Sequence, residues 1–428
     1  MNDWKPILLG SYLDTITDYH ANGAYEKLKE NITLKYEEDY AVMIRTLNFE
    51  SNDFKSKLIY LNEREYDYLQ KSKVQPFDII MNKIANPGSV YLMPDLKRPV
   101  SLAMNLFLIR FNNQIDQQFI YYLMKLNEDY IKRFANGTTT KSITKDAVRG
   151  LKFKVPELPI QARISSVLVN LDAKIELNTK INAELEAMAK LIYDYWFVQF
   201  DFPDANGKPY KSSGGNMVYN EELKREIPEG WEMKELGEIL NTELGGTPST
   251  KIEEYWNGRI PWLNSGEIAN FPIIESEETV SESGIANSAT ALMPKNTCVL
   301  SITRHLRPSI LGVDACANQS VVGIYESADL KSSYIYPFLV NEIPRLMTLR
   351  TGAQQPHINK KTVDESLIIN PHKDVLASYY KKTNPVYENI VVLAKENQKL
   401  SELRDWLLPM LMNGQVRVGE TKEAVKNG

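Results

Sequence analysis

Two long segments of the chain repeat apolar residues every seven positions. In the first segment the repeating positions are Ile164, Leu171, Asn178, Leu185 and Ile192. In the second they are Tyr379, Val386, Leu393, Leu400 and Leu407. A seven-residue repeat sustained over four to five heptads predicts coiled-coil helices. Taken alone, the pattern is equally compatible with two amphipathic helices packed on separate cores.

Other residues refine the two predicted helices. Apolar residues fill the alternate turns, and we assign to the same seam Leu168, Ile175, Ile181, Met188, Ile390, Leu403 and Met410. A lone seam asparagine such as Asn178 typically fixes register, although it can also lie at the edge of the stripe. Pro159 and Pro371 predict the helix starts, and Pro409 with Gly414 predicts the end of the second helix.

Shorter apolar runs predict two globular units of mixed α/β structure. In the first unit they predict strands at 77–81 and 106–109 and a helix at 119–124. In the second they predict strands at 298–302 and 321–325 and a helix at 336–349.

The chain also contains an internal repeat. Residues 137–145 match residues 352–360 at an offset of 215, with Gly137, Ile143 and Lys145 falling on Gly352, Ile358 and Lys360. This register continues without a gap for about fifty residues, through both heptad segments. The two copies also start alike, because Trp4, Leu9 and Gly10 match Trp231, Leu236 and Gly237 at an offset of 227. The repeat favours two helices that bury each other's stripes.

The length of the connection predicts how the helices run. A helix over residues 160–197 would span about 57 Å, and the second unit begins soon after it, near Trp231. An antiparallel pair needs only a corner there, and the turn formers between 201 and 215 suit one. We therefore predict an antiparallel coiled coil that separates the globular units and relates them by a pseudo-two-fold axis.

These patterns give a complete division of the chain. It assigns residues 1–156 to a first globular domain, 157–199 to a central helix, 200–227 to a linker, 228–371 to a second globular domain, 372–413 to a C-terminal helix and 414–428 to a tail.

Composition narrows the class of protein. The chain has 428 residues, 43% hydrophobic and 25% charged, which is typical of a globular protein. No apolar run approaches the roughly 20 residues of a membrane helix, and the N-terminus lacks signal-peptide features, so we expect a cytoplasmic protein. Cys298 and Cys316 form neither a disulfide framework nor a zinc pattern. The net charge is −5, yet residues 295–361 hold 8 Lys and Arg against 4 Asp and Glu, so a local basic surface is possible.

Catalytic motifs are not evident. Gly245–Lys251 has the wrong spacing for a phosphate loop and predicts a plain turn. Neither Asn86-Pro87-Gly88 nor Asn370-Pro371-His372 has the aromatic residue that amino-methyltransferase signatures carry. We find no nucleophile elbow and no metal-binding spacing. The sequence therefore favours a binding protein without catalytic or metal-binding residues.

The repeated motifs resemble those of a known family. The duplicated Trp-x4-Leu-Gly start, the Gly-x5-Ile-x4-Val core and the helix after each copy resemble the DNA-specificity subunit of type I restriction-modification enzymes. The stretches 227–231 and 260–268 are similar to that family's second recognition domain. The start of the first helix, residues 156–161, departs from the family's usual Pro-Pro-Leu-x-Glu-Gln, which weakens this motif but not the architecture.

The resemblance implies a non-catalytic subunit that binds double-stranded DNA. Each of two target recognition domains would read one half of a bipartite, asymmetric site, and the helical pair would set the gap between the halves. Two modification (methyltransferase) subunits, which carry S-adenosylmethionine, would dock on the helices. Two restriction (motor-nuclease) subunits would join for cleavage, and no membrane is involved.

Candidate DNA-binding residues follow from the side chains that suit phosphates and base edges. In the first domain they are Lys83, Lys97, Arg98, Thr138, Thr139, Lys141 and Lys145. In the second they are Asn264, Ser265, Arg304, His305, Arg307, Gln354, Gln355, Lys360 and Lys361. We regard the cluster from Arg304 to Arg307 as the strongest single candidate.

Two other functions compete with DNA reading. One is a coiled-coil scaffold that organises protein partners without touching DNA. The other is a methyltransferase fused to its own recognition domains, against which the missing signature and cofactor loop argue.

Overall fold

A computed structural model describes residues 4–352, 354 and 356–419. The described residues form two compact units. Residues 4–173 and 400–419 make the first unit, and residues 174–399 make the second. Both units combine β-sheets with helices, as the sequence predicts.

The first unit holds ten strands, and each is short. They are β1 (Lys5–Leu8), β2 (Leu13–Asp18), β3 (Ala41–Ile44), β4 (Ile59–Leu61), β5 (Lys73–Val74), β6 (Ile79–Asn82), β7 (Val90–Leu92), β8 (Val100–Leu102), β9 (Leu106–Phe111) and β10 (Lys152–Val155). Its helices are α1 (Tyr25–Asn31), α2 (Thr46–Glu50), α3 (Glu63–Tyr68), α4 (Gln117–Leu126), α5 (Glu128–Lys132) and α6 (Lys145–Arg149). The long helix α7 (Leu158–Tyr193) continues into the second unit and ends in a π-helical segment, Asp194–Val198.

The second unit also consists of short strands and helices. Its strands are β11 (Met217–Asn220), β12 (Arg225–Pro228), β13 (Glu232–Glu235), β14 (Thr242–Leu244), β15 (Trp256–Leu263), β16 (Glu278–Val280), β17 (Cys298–Ser301), β18 (Arg307–Ile310), β19 (Cys316–Ala317), β20 (Val321–Ile324) and β21 (Leu367–Asn370). Its helices are α8 (Leu236–Ile239), α9 (Glu282–Ala286), α10 (Ser332–Thr348), α11 (Lys360–Asp364) and α12 (Lys373–Met412), the last of which returns to the first unit.

Each unit has one antiparallel four-stranded sheet of the same connectivity, whereas the sheet that holds the parallel pair has four strands in the first unit and three in the second. The antiparallel sheet has the order β2-β9-β6-β7 in the first unit and β14-β20-β17-β18 in the second. The central strands β6 and β17 are buried throughout, which explains their continuous apolar runs. Each unit also contains one parallel pair, β3 with β8 and β15 with β19. The internal repeat is therefore a repeat of fold.

The matched glycines mark the junction that closes each domain. Strand β1 pairs with β10 and β13 pairs with β21, in registers that preserve the two sequence offsets. A Cβ atom on Gly10 would lie 2.9 Å from the carbonyl oxygen of Arg149, and one on Gly237 would lie 2.8 Å from Asp364 Cβ. Glycine is therefore required at both positions, because the chain that follows β1 or β13 passes close to the short helix α6 or α11.

The two long helices run antiparallel. In the second unit, Asn182 Nδ2 donates to the carbonyl of Ile390 and Asn397 Nδ2 donates to the carbonyl of Ile175, each at 3.2 Å. These two bonds are related by the offset of 215 in both partners, so a pseudo-two-fold axis passes between them. In the first unit, Arg404 Nη1 donates to Asp172 Oδ1 at 2.8 Å. At 36 and 40 residues, the helices are about 54 and 60 Å long.

The heptad positions are buried or partly buried, but three of the seven alternate seam positions were assigned wrongly. Ile181, Met188 and Leu403 are each about 40% exposed and lie outside the seam. The seam instead takes the next residue along at each position, Asn182, Ala189 and Arg404. It also takes Asn397. Hydrophobicity misleads here because the seam accepts small and hydrogen-bonded residues while larger apolar residues face outward.

Asn178 lies inside the seam and not at its edge. Its side chain is fully buried, and its Nδ2 donates to Glu396 Oε2 at 2.8 Å and to Asn397 Oδ1 at 2.9 Å. Together with Asn182 and Asn397 it forms a polar layer in the middle of the helical pair. Polar layers of this kind specify register at some cost in stability.

The segment 200–227 is not the simple linker that its turn formers predict. Phe200 and Phe202 are buried in the main core of the second unit, where both pack against Trp231. Asp201 accepts hydrogen bonds from the backbone and hydroxyl of Ser212, which fixes the corner. The aromatic residues therefore attach this segment to the domain that follows it.

The second long helix ends within one residue of the boundary at 413 that Pro409 and Gly414 predict. Pro409 lies within α12, which continues to Met412 before Gly414 adopts a positive φ of 66°. Among the described residues, no helix is both long and apolar enough to span a bilayer.

Candidate nucleic-acid interface

The repeated Gly-x5-Ile motif forms a tight loop in each domain. The loop is closed by backbone pairing between Asn136 and Ser142 in the first domain, and between Thr351 and His357 in the second. Gly137 and Gly352 follow the first closing residue with φ of 123° and 96°, values that favour glycine. We call these loops the first and second repeat loops.

Each repeat loop is anchored to the end of a buried central strand. In the first domain, the carbonyl of Lys83, just after β6, accepts from the N–H of Ile143 at 3.0 Å. In the second, the carbonyl of Ile302, just after β17, accepts from the N–H of Ile358 at 3.0 Å. The same backbone frame therefore presents different side chains in the two domains.

A lysine pair lies beside the first repeat loop. Lys83 Nζ is 3.0 Å and Lys145 Nζ is 2.9 Å from the carboxylate of Asp18, the last residue of β2. Burial alone would raise the pKa of Asp18, but hydrogen bonds from Lys145 and Lys83 outweigh it and hold the pKa below its usual value. Both ammonium groups also lie over the ring of Phe107, at 5.6 and 5.9 Å. The structure thus brings two predicted residues together through a carboxylate that sequence reasoning missed.

The tip of the first repeat loop is free for a ligand. Thr138, Thr139 and Lys141 are exposed, and their side chains make no hydrogen bond to other described residues. Hydroxyl groups and an ammonium group in this setting suit phosphate contacts.

The ends of the parallel strands add polar residues that the sequence analysis did not select. Asn105 follows β8, is exposed, and accepts the N–H of Lys83 on its backbone carbonyl at 2.8 Å. Arg45 follows β3, and its Nη2 donates to the carbonyl of Lys57 while its Nε is buried without a partner among the described residues. Their signal in the sequence is weak, because only strand pairing places them. The antiparallel pairing of β6 with β9 brings Asn105 beside Lys83, and the parallel pairing of β3 with β8 brings the residues after these two strands to the same edge of the sheet.

The second domain presents a basic cluster at the equivalent place. Arg304, His305 and Arg307 are exposed, and their side chains make no ion pair within the described chain. The backbone N–H of Arg304 donates to the carbonyl of Pro356 at 2.9 Å, so this cluster is attached directly to the second repeat loop. The predicted cluster is therefore a surface with unpaired positive charge.

Asn264 and Ser265 follow β15, as Arg45 and Thr46 follow β3. The Oδ1 atom of Asn264 accepts from the backbone of Gly266 at 2.8 Å, so part of this side chain serves the turn. Ser265 makes no side-chain hydrogen bond in the described structure. Gln319 lies at the end of the neighbouring strand β19 and accepts from the hydroxyl of Thr247 at 2.7 Å.

Other predicted residues lie elsewhere or are engaged. Lys97 and Arg98 precede β8, at the opposite end from Asn105, and pair with Asp95 at 2.6 Å and Glu38 at 2.9 Å. In α11, Lys360 pairs with Asp364 at 2.7 Å and Lys361 with Glu365 at 3.4 Å. Gln354 is exposed in the second repeat loop, whereas Gln355 lies outside the described residues.

The described residues contain no cluster of three or more His, Cys, Asp or Glu side chains placed to hold a metal ion. Cys298 and Cys316 are both buried and free. Burial raises the pKa of both thiols, to about 11 for Cys316.

Fold and site together define a binding protein that contains two domains of similar fold and a pair of long antiparallel helices. The family model of the type I restriction modification DNA specificity domain matches it twice, over residues 19–187 and 228–398. These matches cover well over half of the sequence, and the chain belongs to that family. The resemblance drawn from the repeated motifs is confirmed.

Individual relatives agree with this assignment. The HindI specificity subunit of Haemophilus influenzae is 24% identical over 477 aligned residues, which cover 97% of this chain and 100% of the relative. The MjaIX specificity subunit of Methanocaldococcus jannaschii is 26% identical over 310 residues, covering 71% and 70%. The crystal structure of the S subunit from M. genitalium shares the fold, with 16% identity, a TM-score of 0.57 and coverage of 98% and 97%.

Proposed function

We propose that this chain selects the DNA sequence for a type I restriction-modification complex, with each recognition domain reading one half of a bipartite site. The observation that carries this proposal is the pair of repeat loops, in which one backbone frame presents two different sets of polar and basic side chains. A reader of two unlike half-sites needs this combination of a shared frame and divergent surfaces.

The recognition domains in this proposal are residues 1–156 and 228–371. Residues 157–199 and 372–413 are the helices that set the gap between half-sites, residues 200–227 connect them, and 414–428 form a tail, of which 420–428 lie outside the described residues. The DNA contacts come from the residues gathered at the repeat loops, with Arg304, His305 and Arg307 foremost. Lys97, Arg98, Lys360 and Lys361 contribute less because carboxylates already pair with them.

Catalysis belongs to partner subunits in this proposal. Methyltransferase subunits hold S-adenosylmethionine and modify the site that this chain selects, and restriction subunits join the same complex for cleavage. The substrate is double-stranded DNA, which implies a cytoplasmic location.

The outer faces of the long helices support docking of two methyltransferase subunits. Three exposed apolar residues on α7 fall, at the offset of 215, on three exposed apolar residues of α12. The pairs are Leu177 with Val392, Met188 with Leu403, and Leu191 with Trp406, and these side chains are 43–67% exposed. Exposed apolar stripes mark protein interfaces, and a duplicated stripe suits two copies of one partner.

Docking can be tested by the mass of the assembled complex. Leu191→Glu and Trp406→Glu each place a charge on one stripe, so each is expected to remove one methyltransferase subunit, and the double variant both. Leu126→Glu, at an exposed position on α4, is the matched control. Full assembly by the double variant, measured by light scattering, would exclude this docking surface.

DNA selection is tested by sequencing methylated bases in host DNA with and without this chain. We expect a bipartite motif that appears only when the chain and its methyltransferase partner are both present. Arg304→Ala and Arg307→Ala are expected to lose one half of the motif and to retain the other. Methylation that does not depend on this chain would contradict the proposed function.

A further inference from the structure

Asp18 is the only acidic residue in contact with the lysine pair in the described structure. It is the end residue of β2, its side chain is 9% exposed, and its two carboxylate oxygens are divided between Lys145 and Lys83. The lysine side chains are 29% and 30% exposed, so neither is enclosed by the protein. An ammonium group has three N–H donors, and those not used by Asp18 remain available to a phosphate.

The charges of this cluster do not cancel. Two ammonium groups against one carboxylate leave a net charge of +1 beside the first repeat loop. The second domain is different, because the exposed side chains of Arg304 and Arg307 face no carboxylate among the described residues. The first domain therefore carries a basic site whose attraction is reduced by a buried acid.

We propose that Asp18 is a specificity-determining positioning residue, which fixes both lysines for one phosphate and reduces the attraction of the first domain to DNA of any other sequence. This inference rests on the proposed function. Attraction to phosphates is the main source of sequence-independent binding, and discrimination is the difference between specific and non-specific affinity. A buried carboxylate beside the contact lowers non-specific binding everywhere. Because Asp18 holds both ammonium groups in fixed positions, they contribute fully to binding only where the DNA places one phosphate in contact with both.

The test uses the complete complex with its methyltransferase subunits and Asp18→Asn, which keeps the shape of the side chain and removes its charge. The probes are a duplex carrying the methylated motif and a shuffled duplex of equal length, titrated at 50 and 200 mM salt. The added net charge is expected to steepen the logarithmic salt dependence on the shuffled duplex by about 0.9, so that the ratio of affinities at the two salts increases about 3.5-fold. Discrimination between the two duplexes is expected to fall.

Lys145→Gln provides the opposite perturbation. It leaves one ammonium group against one carboxylate, so the salt dependence is expected to become shallower by about 0.9. Opposite changes from two contacting residues separate an electrostatic role from a structural one, since simple damage to the site would weaken binding in both variants. Asp129→Asn is the charge-matched control, because this exposed carboxylate on α5 makes no ion pair in the described chain.

The outcomes are distinguishable. A wild-type complex that does not prefer the motif duplex would overturn the proposed function itself. A selective wild-type complex whose Asp18→Asn variant keeps the wild-type salt dependence and discrimination would overturn the role of Asp18 alone. Weaker binding to both duplexes in a folded Asp18→Asn complex, with a shallower salt dependence, would also overturn it.

Discussion

Arg304 allows side-chain and backbone contributions to be separated. Its φ is 51°, a left-handed conformation that costs a non-glycine residue about 1–2 kcal/mol. The backbone is held there by the N–H bond to Pro356 and by Arg350 Nη1, which donates to the Arg304 carbonyl at 2.9 Å. The guanidinium group itself is exposed and makes no hydrogen bond within the described structure. Its removal therefore costs the free protein little.

The pair Arg304→Ala and Arg304→Gly uses this geometry. Both variants lose the guanidinium group, so both are expected to weaken DNA binding equally. A lost base contact corresponds to about 1–3 kcal/mol, or about 5- to 150-fold in Kd. A lost phosphate contact instead makes the logarithmic salt dependence shallower by about 0.9. Alanine at position 304 keeps the strain of the left-handed backbone, and glycine removes it. The free energy of unfolding is therefore expected to be about 1 kcal/mol higher for the glycine variant than for the alanine variant.

The assays are DNA titration of the complex at two salt concentrations and denaturant unfolding of the isolated chain. Arg259→Ala is the matched control, since this exposed arginine in β15 makes no hydrogen bond to the second repeat loop. Loss of sequence preference at one motif position would identify a base contact, and uniform weakening would identify a phosphate contact. Wild-type affinity in both variants at near-physiological salt would remove Arg304 from the interface.

Three further predictions follow from the same structure. A Cβ atom on Gly137 would lie 2.4 Å from the Thr140 carbonyl oxygen, so Gly137→Ala is expected to lower the free energy of unfolding by about 1–3 kcal/mol and to weaken DNA binding. Unchanged stability in a denaturant titration would contradict this. Because burial raises the pKa of Cys298 and Cys316, neither thiol is expected to react with a colorimetric thiol reagent at pH 8 until the chain unfolds. Because Asp18 has a lowered pKa in the folded state, its charge stabilises the fold above the unfolded pKa of about 3.9. The stability difference between wild type and Asp18→Asn should therefore shrink as the pH falls below about 4, and a difference that grew in acid would contradict the ion pairs.

The sequence was most informative where the repeat and the heptads coincide. The offset of 215 and the predicted antiparallel orientation agree with two hydrogen bonds in the structure, from Asn182 to Ile390 and from Asn397 to Ile175, which the offset relates to each other. The assignment of seam residues from hydrophobicity failed at Ile181 and Met188, because hydrophobicity alone does not distinguish a seam position from an outward-facing position one residue away. The structure shows that the smaller Asn182 and Ala189 occupy the seam.

The candidate site was predictable only in part. Exposed arginines between two strands, such as Arg304 and Arg307, are visible as a local basic cluster. Asp18 is not, since it is 65 residues from Lys83 and 127 from Lys145, and only the sheet brings them together. The same holds for Asn105, which lies beside Lys83 only because β6 pairs with β9.

The structure also explains how two domains of one fold can present different surfaces. The repeat loops are closed by backbone hydrogen bonds, such as those between Asn136 and Ser142, and anchored by another backbone bond to the end of the central strand. The closing geometry favours glycine at Gly137 and Gly352. In the first repeat loop, whose residues are all described, the closure uses no side chain from Thr138, Thr139 or Lys141. Residues such as Thr138 and Lys141 can therefore differ between the domains at little cost in stability. A frame held by its backbone leaves the exposed side chains free to determine what each domain binds.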